Sequence, residues 1–302
     1  MEGKRILVTG ASGGMGVPLS SYLAGLNNEV FGAARFSDPA ARERLEKAGV
    51  HTITADLGDE SYDAIPRDFD YVFHCGAIVS YAAEVNPALT LKVNAQGTGR
   101  LMSHVRTARG FVHCSTGSLY AYQGHRPIRE EDPYGLHIPT YSFSKIQAEA
   151  LVEFCSREFG LPAIMIRICS LYSEEDGSPT SRVEKVAKGE TVLLHPDTPN
   201  NYNPIFRSDY CELAVRAAEV ASCPPIVVNF AGSETMSAED YCNYAAELMG
   251  TTAKIEYSNE SWWPLWPDVT RMHEILGRTK VGVREGIRKV VEARFPDRIA
   301  VK

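Results

Sequence analysis

Tyr141 and Lys145 stand four residues apart in Tyr141-Ser142-Phe143-Ser144-Lys145, a spacing that puts both side chains on one face of a helix. A phenol beside an ammonium is a proton-transfer pair. The positive charge favours the phenolate and draws down a pKa that is otherwise about 10. Thr116 and Ser118, in Ser115-Thr116-Gly117-Ser118, supply hydroxyls that would hold a substrate oxygen against that phenol. Such a set serves hydride movement to or from a hydroxyl-bearing carbon, the phenol giving or taking the proton. Tyrosine and lysine at this spacing are common by chance, so their weight comes from their place in the chain.

A hydride needs a carrier, and a second motif predicts one. Thr9-Gly10-Ala11-Ser12-Gly13-Gly14-Met15-Gly16 follows the apolar run Ile6-Leu7-Val8. Glycines 10, 13 and 16 let the backbone turn tightly and approach a pyrophosphate, whose charge a helix N-terminus stabilises. The cofactor-contacting set is read as Gly10, Ser12, Gly13, Gly14, Met15 and Gly16, with Asp56-Leu57 after the third strand and Cys75-Gly76-Ala77 after the fourth. A local capping role suits Asp56 almost equally. Arg35 stands where an aspartate would accept ribose hydroxyls. An arginine there pairs with a 2'-phosphate, so NADP is expected, with NAD as the alternative.

The elements that position these groups read as alternating strands and helices. Strands are predicted at 6–9, 30–34, 51–55, 71–74, 110–114 and 162–168, with helices at 17–26, 40–48, 88–109 and 139–159. Six such units make a Rossmann-type, doubly wound parallel sheet covered on both faces. Residues 1–170 form the dinucleotide-binding domain and 171–302 mostly a smaller substrate-binding lobe, with segments around 205–232 returning to the first. That lobe carries a short helix at 181–188, a strand at 227–230 and helices at 238–249 and 283–294. Ile168 closes the sixth strand on the cofactor side. Tyr81 and Tyr172 follow carboxyl ends of strands and are expected to touch substrate. Trp262, Trp263 and Trp266 crowd one proline-broken segment, where anchoring the lobe is favoured slightly over lining a pocket.

The 44% hydrophobic content excludes overall disorder, and the net charge of -7 without a basic block gives no reason to expect nucleic acid. The first apolar run is a strand, not a signal or membrane span. Seven scattered cysteines without a CxxC pair suit a reducing cytoplasm. His74-Cys75 and His113-Cys114 are adjacent on predicted strands and so point to opposite faces, which disfavours a metal site.

The set as a whole resembles the extended short-chain dehydrogenase/reductase family, which includes the NAD-dependent epimerase/dehydratase group. The matching pieces are the glycine turn, Asp56-Leu57, His74-Cys75-Gly76-Ala77, Asn94 in Val93-Asn94-Ala95-Gln96-Gly97, Ser115-Thr116, Tyr141 through Lys145, Arg167, Phe206-Arg207-Ser208-Asp209 and Val228-Asn229-Phe230-Ala231-Gly232. The resemblance implies Thr116 as the catalytic hydroxyl, Tyr141 as acid/base, Lys145 on the nicotinamide ribose and Asn94 near the cofactor. It also implies a homodimer packed through the helices at 94–109 and 141–159, although Leu151, Val152 and Phe154 would equally serve the core. Two departures shape the expected activity. Asn201-Tyr202-Asn203-Pro204 stands where nucleotide-sugar members usually carry an arginine, and Gly117-Ser118 stands where dehydratases usually carry Asp-Glu. The expected reaction is therefore an NAD(P)-dependent alcohol–carbonyl interconversion on a small or non-nucleotide substrate. A nucleotide-sugar epimerase with tightly bound NAD is the alternative, and a redox-sensing binder without turnover is opposed by the intact Thr116, Tyr141 and Lys145.

Overall fold

The strands β1 (Arg5–Thr9), β2 (Glu29–Ala34), β3 (His51–Thr54), β4 (Tyr71–His74), β5 (Gly110–Thr116), β6 (Ala163–Ile168) and β7 (Ile226–Phe230) build one seven-stranded sheet in the order β7-β6-β5-β4-β1-β2-β3. The computed structural model describes residues 1–299. β1 pairs in parallel with β2 on one side and β4 on the other, with Leu7 opposite both Phe31 and Val72. β2 pairs in parallel with β3, and β4 with β5. Strand order reverses beside β1, which opens the crevice at the strands' carboxyl ends where doubly wound sheets bind ligands. Ile6, Leu7 and Val8 are fully buried, and all seven residues of β5 are buried. These strands therefore read as continuous apolar or small runs rather than as alternations.

The chain divides into two compact units. The first comprises Met1–Leu119, Tyr134–Arg167 and Cys211–Val228; the second comprises Tyr120–Pro133, Ile168–Tyr210 and the chain from Asn229. The segment returning to the first unit is thus shorter than the sequence reading had it, and Tyr120–Pro133 leaves it. In the first unit α1 (Gly16–Gly25), α2 (Pro39–Lys47), α3 (Gly97–His104) and α4 (Pro139–Phe159) accompany the sheet. Leu7, Val72, Leu101, Met102, Phe111, Val152 and Met165 share its main core. The second unit is built on α5 (Ser178–Lys188), α7 (Ala238–Leu248) and α8 (Val283–Arg294), whose apolar faces bury Val183, Val186, Tyr241, Ala245, Ile287 and Val290 together. α6 (Arg207–Glu219) has residues in both units.

The helix expected over 88–109 is broken. An α turn at Pro87–Leu91 passes into a π-helical stretch at Lys92–Gln96 and then α3, which stops at His104. The chain must leave the helix early because Arg109 N–H donates to Asp70 O at 2.8 Å, tying the start of β5 to the approach of β4. Gly97 sits where a Cβ would lie 2.6 Å from the carbonyl oxygen of Leu57, so the loop after β3 rests directly on the helix.

Candidate active site

The glycine turn forms as its spacing predicts. Gly10 holds φ +65, and a Cβ on it would lie 2.5 Å from the Cα of Gly76. A Cβ on Gly76 would in turn lie 2.4 Å from Leu57, and one on Gly16 would lie 2.2 Å from the carbonyl oxygen of Gly10. The backbone segments after β1 and β4 are thereby stacked at contact distance, with the Leu57 side chain from the segment after β3 packed against Gly76. Gly13 and Gly14 are exposed, Ser12 and Met15 half-buried, and no side chain caps the N-terminus of α1. With no acidic residue in that first turn, the uncapped amides and the helix dipole fit an anionic diphosphate. A dinucleotide therefore suits the residues present. Asp56 accepts from Gly58 N–H at 2.8 Å, closing the turn after β3. Cys75 is buried, its sulfur 3.5 Å from that of Cys114, and Ala77 is half-buried.

α4 begins at Pro139 and ends where Gly160 takes the left-handed conformation, a pairing of start and stop that favours a long helix. Its N-terminus has no cap of its own. Glu84, on the short helix Ala82–Val85, accepts from the backbone N–H of Thr140 at 2.9 Å, from that of Tyr141 at 3.1 Å and from the hydroxyl of Thr140 at 2.8 Å. A carboxylate at a helix N-terminus satisfies orphan amides and complements the dipole. Further along, Glu149 and Arg167, each about 4% exposed or less, form a buried bidentate pair at 3.0 and 2.7 Å, and Ser115 donates to the same carboxylate. Asn94, buried in the π-helical stretch, accepts from Ile78 N–H at 2.7 Å and donates to Ile78 O and to Ser144 Oγ. Its side chain is occupied in clamping the loop after β4 to α4, so the structure places it beside the cofactor loop as a brace.

These tethers bring Tyr141, Lys145, Thr116 and Ser118 together. Thr116 donates to Ser118 Oγ at 3.2 Å and accepts from the Ser118 N–H, and Ser142 donates to the carbonyl of Ser118 at 2.7 Å. Burial pushes the Tyr141 phenol up to about 12, against a hydrogen bond with Thr116 that pulls it down. The lowering expected from Lys145 does not occur, because that ammonium is directed elsewhere. It donates to the carbonyl of Cys114 at 2.8 Å and to His113 Nε2 at 3.2 Å, and burial pushes it down to about 8. Glu84 and His113 were not picked out by sequence reasoning. Glu84 lies 56 residues from Thr140 with no pattern to link them, whereas His113 was legible as an odd polar residue in a buried strand.

The remaining expected contacts divide. Tyr81 is 66% exposed at the start of the Ala82–Val85 helix. Ile168 ends β6 and falls in the second unit. Tyr172 is corrected: it is 1% exposed in the core of the second unit, its ring edge-on to Phe206 at 5.2 Å, and a Cβ on Gly286 would meet its hydroxyl. Its position after a strand end was right, but the ring turns inward. The three tryptophans are half-buried, Trp263 lying 5.8 Å from the ring of Tyr122. In the same unit Arg182 of α5 donates to the hydroxyls of Tyr241 and Tyr202 and lies 4.9 Å over the Tyr202 ring.

Residues 6–231 match the model of the NAD dependent epimerase/dehydratase family, and the chain belongs to that family. It is accordingly an oxidoreductase-type enzyme of the extended short-chain class, with the Rossmann sheet and added substrate lobe of that fold. Among its relatives, UDP-glucuronate 4-epimerase 3 of Arabidopsis thaliana is 27% identical over 188 residues, 57% of this chain and 43% of that protein. The match thus spans less than half of that relative's length. The UDP-N-acetylglucosamine 4-epimerase of Methanobrevibacter ruminantium, in complex with UDP-N-acetylmuramic acid, superposes with a TM-score of 0.85 at 18% identity, covering 98% of this chain and 100% of that one. The UDP-glucuronic acid 4-epimerase of Bacillus cereus, in complex with UDP-glucuronic acid and NAD, gives 0.81 at 19% identity, covering 95% and 98%. At such identities the likeness is one of fold.

Two expectations are corrected by these findings. NADP gives way to NAD, the dinucleotide of the family's description and of the Bacillus cereus complex. Arg35 is exposed one residue beyond β2 with no hydrogen bond or ion pair among the described residues. The small, non-nucleotide substrate is corrected by the names of these relatives, which give UDP-linked sugars as those proteins' own substrates or ligands. A guanidinium does reach the stretch 201–204, from Arg182 on α5 to Tyr202. Among the described residues, no helix is long and apolar enough to cross a membrane.

Proposed function

We propose that this chain is an NAD-dependent epimerase that inverts a hydroxyl-bearing carbon of a UDP-linked sugar. The observation that carries the reading is the convergence of Tyr141, Thr116 and Lys145 beside the glycine cradle, in a member of the NAD dependent epimerase/dehydratase family. Gly10 to Gly16, with Gly76 packed against Gly10, would hold NAD, which when bound would supply the hydride acceptor and donor for that carbon. Thr116 would hold the reacting hydroxyl, and Tyr141, reacting as the phenolate, would take its proton to become the phenol and later give it back. Lys145, whose ammonium is directed to the Cys114 carbonyl and His113, would hold the dinucleotide.

Arg182 supports a nucleotide diphosphate as a binding handle that stays attached to the sugar. It is half-buried, no carboxylate pairs with it among the described residues, and its two bonded neighbours are the neutral hydroxyls of Tyr202 and Tyr241. A desolvated guanidinium without a counter-charge is suited to an oxyanion. The chain's association as a homodimer, through α4 and the helical run before α3, is supported by Val85, Leu89, Phe143 and Phe154, all exposed and apolar. Seven cysteines, none in a disulfide among the described residues, suit a cytoplasmic setting.

The test is incubation of the protein with NAD and, separately, UDP-glucuronic acid, UDP-glucose and UDP-N-acetylglucosamine, with the C4 epimers resolved by chromatography. One sugar should interconvert with its epimer without net NADH, and Arg182→Met should weaken UDP binding about tenfold or more, the worth of a charge-assisted bond. Stoichiometric NADH, or silence across all three sugars with NAD bound, would overturn the assignment.

A further inference from the structure

His113 is wholly buried in β5, three residues before Thr116. The ammonium of Lys145 has only donors, so at 3.2 Å the Nε2 of His113 must be the acceptor. That assigns the imidazole proton to Nδ1, which is buried with no hydrogen-bond partner. The ring is therefore neutral, and burial together with the neighbouring Lys145 charge holds its pKa well below the ordinary value. An isolated, buried ring nitrogen without a partner is costly. What β5 gains in exchange is a second acceptor for the ammonium.

Every group around Lys145 can be assigned. β5 presents His113 and the Cys114 carbonyl, and β4 with the residue after it presents His74 and Cys75. α4 presents Tyr141 and Glu149, the latter held by Arg167 of β6. His74 is spent: its two nitrogens bond Thr9 at 2.7 Å and Thr98 at 2.8 Å. Glu149 is bidentate on Arg167. Among the described residues, the acceptors for Lys145 are the Cys114 carbonyl and His113.

We propose that His113 is a positioning residue, its neutral imidazole taking one ammonium proton of Lys145 while the Cys114 carbonyl takes a second, so that the third proton alone is left for a bound group. An acceptor bonded to the charged form of a group favours that form, so the imidazole also opposes the burial that drives Lys145 toward neutrality. This rests on Lys145 belonging to the proposed dinucleotide site, and NAD binding by the unaltered protein checks that part separately.

The experiment is calorimetric titration of NAD into the full chain across pH 6 to 9.5, beside the kcat/KM profile. Lys145 is charged below its pKa, so affinity should be flat at low pH and fall as pH passes through that value. In His113→Leu the fall should begin about one pH unit lower, the effect of losing one bond to a charged group. His113→Gln, whose amide oxygen reaches the same place, should restore the profile. If His113→Leu does not fold, His113→Phe, closer to the ring in volume, carries the same expectation. An unchanged alkaline limb in the apolar variants, or an affinity loss equal at every pH, overturns the positioning role while leaving the dinucleotide site standing. Absence of NAD binding by the unaltered protein overturns both.

Discussion

Gly10 and Gly49 both hold left-handed backbone, at φ +65 and +82, yet a Cβ on Gly49 meets nothing within 4 Å while one on Gly10 lies 2.5 Å from Gly76 Cα and 2.9 Å from the carbonyl carbon of Cys75. Alanine at either position incurs the left-handed penalty, about 1–2 kcal/mol, offset by about 0.4–1 kcal/mol from a less disordered unfolded chain. Gly49→Ala should therefore cost about 1 kcal/mol or less. Gly10→Ala adds overpacking against backbone that has no flexible end to swing aside, about 1–3 kcal/mol more. Urea unfolding followed by tryptophan fluorescence measures the difference between the two variants directly, because strain and chain entropy nearly cancel between them. The same shift moves the turn away from a diphosphate, so NAD affinity by calorimetry should fall at least about tenfold in Gly10→Ala and stay unchanged in Gly49→Ala. Equal stability losses, or full NAD affinity in Gly10→Ala, would refute the close approach of the two loops as the basis of the cradle.

Tyr141→Phe keeps the ring and removes the proton-transfer oxygen, and turnover should fall about 10²–10⁴-fold with NAD affinity preserved, measured by steady-state kinetics and calorimetry. Glu149→Gln leaves Arg167 buried without its counter-charge and should cost about 3–5 kcal/mol in urea unfolding, whereas replacing both partners by apolar residues of like volume should cost far less. His74 is pushed down to about 3 and His113 also lies well below its ordinary value, both chiefly by burial. Below pH 6.5 the unfolded chain takes up protons that the folded chain refuses, so stability is full above that pH and is lost as pH falls toward the folded pKa values. At pH 5 the loss from His74 is about 2 kcal/mol, with His113 acting in the same direction, and a urea midpoint constant from pH 7 to pH 5 would contradict the neutral burial of these rings.

The parts legible in the sequence were those set by local rules. Ile6-Leu7-Val8 with the glycines after it specified β1, the turn and α1, because a buried parallel strand and a tight turn each need particular residue types. α4 was read with its observed limits because Pro139 and Gly160 punctuate it. The break at Lys92–Gln96 was not legible: no residue in it forbids an α-helix, and the π geometry comes with Asn94 reaching Ile78 across the fold. Tyr172 shows the same limit, since its ring direction is decided by Gly286 and Phe206, more than thirty residues away. The stretch 201–204 shows it again. Reading it for an arginine assumes the cation must come from that segment, whereas a guanidinium from α5 occupies the neighbourhood of Tyr202.

The loop after β4 is fastened to α4 twice, by Asn94 on Ile78 and by Glu84 on the first amides around Tyr141. Surface loops ordinarily absorb added or deleted residues without harm. Here the six or so residues between the two fastenings act as a ruler: one extra residue would slide Glu84 out of register with the helix end and turn the phenol with it. Length variation in this family should therefore avoid the span from Ile78 to Glu84, even where its side chains are exposed and free to change in kind.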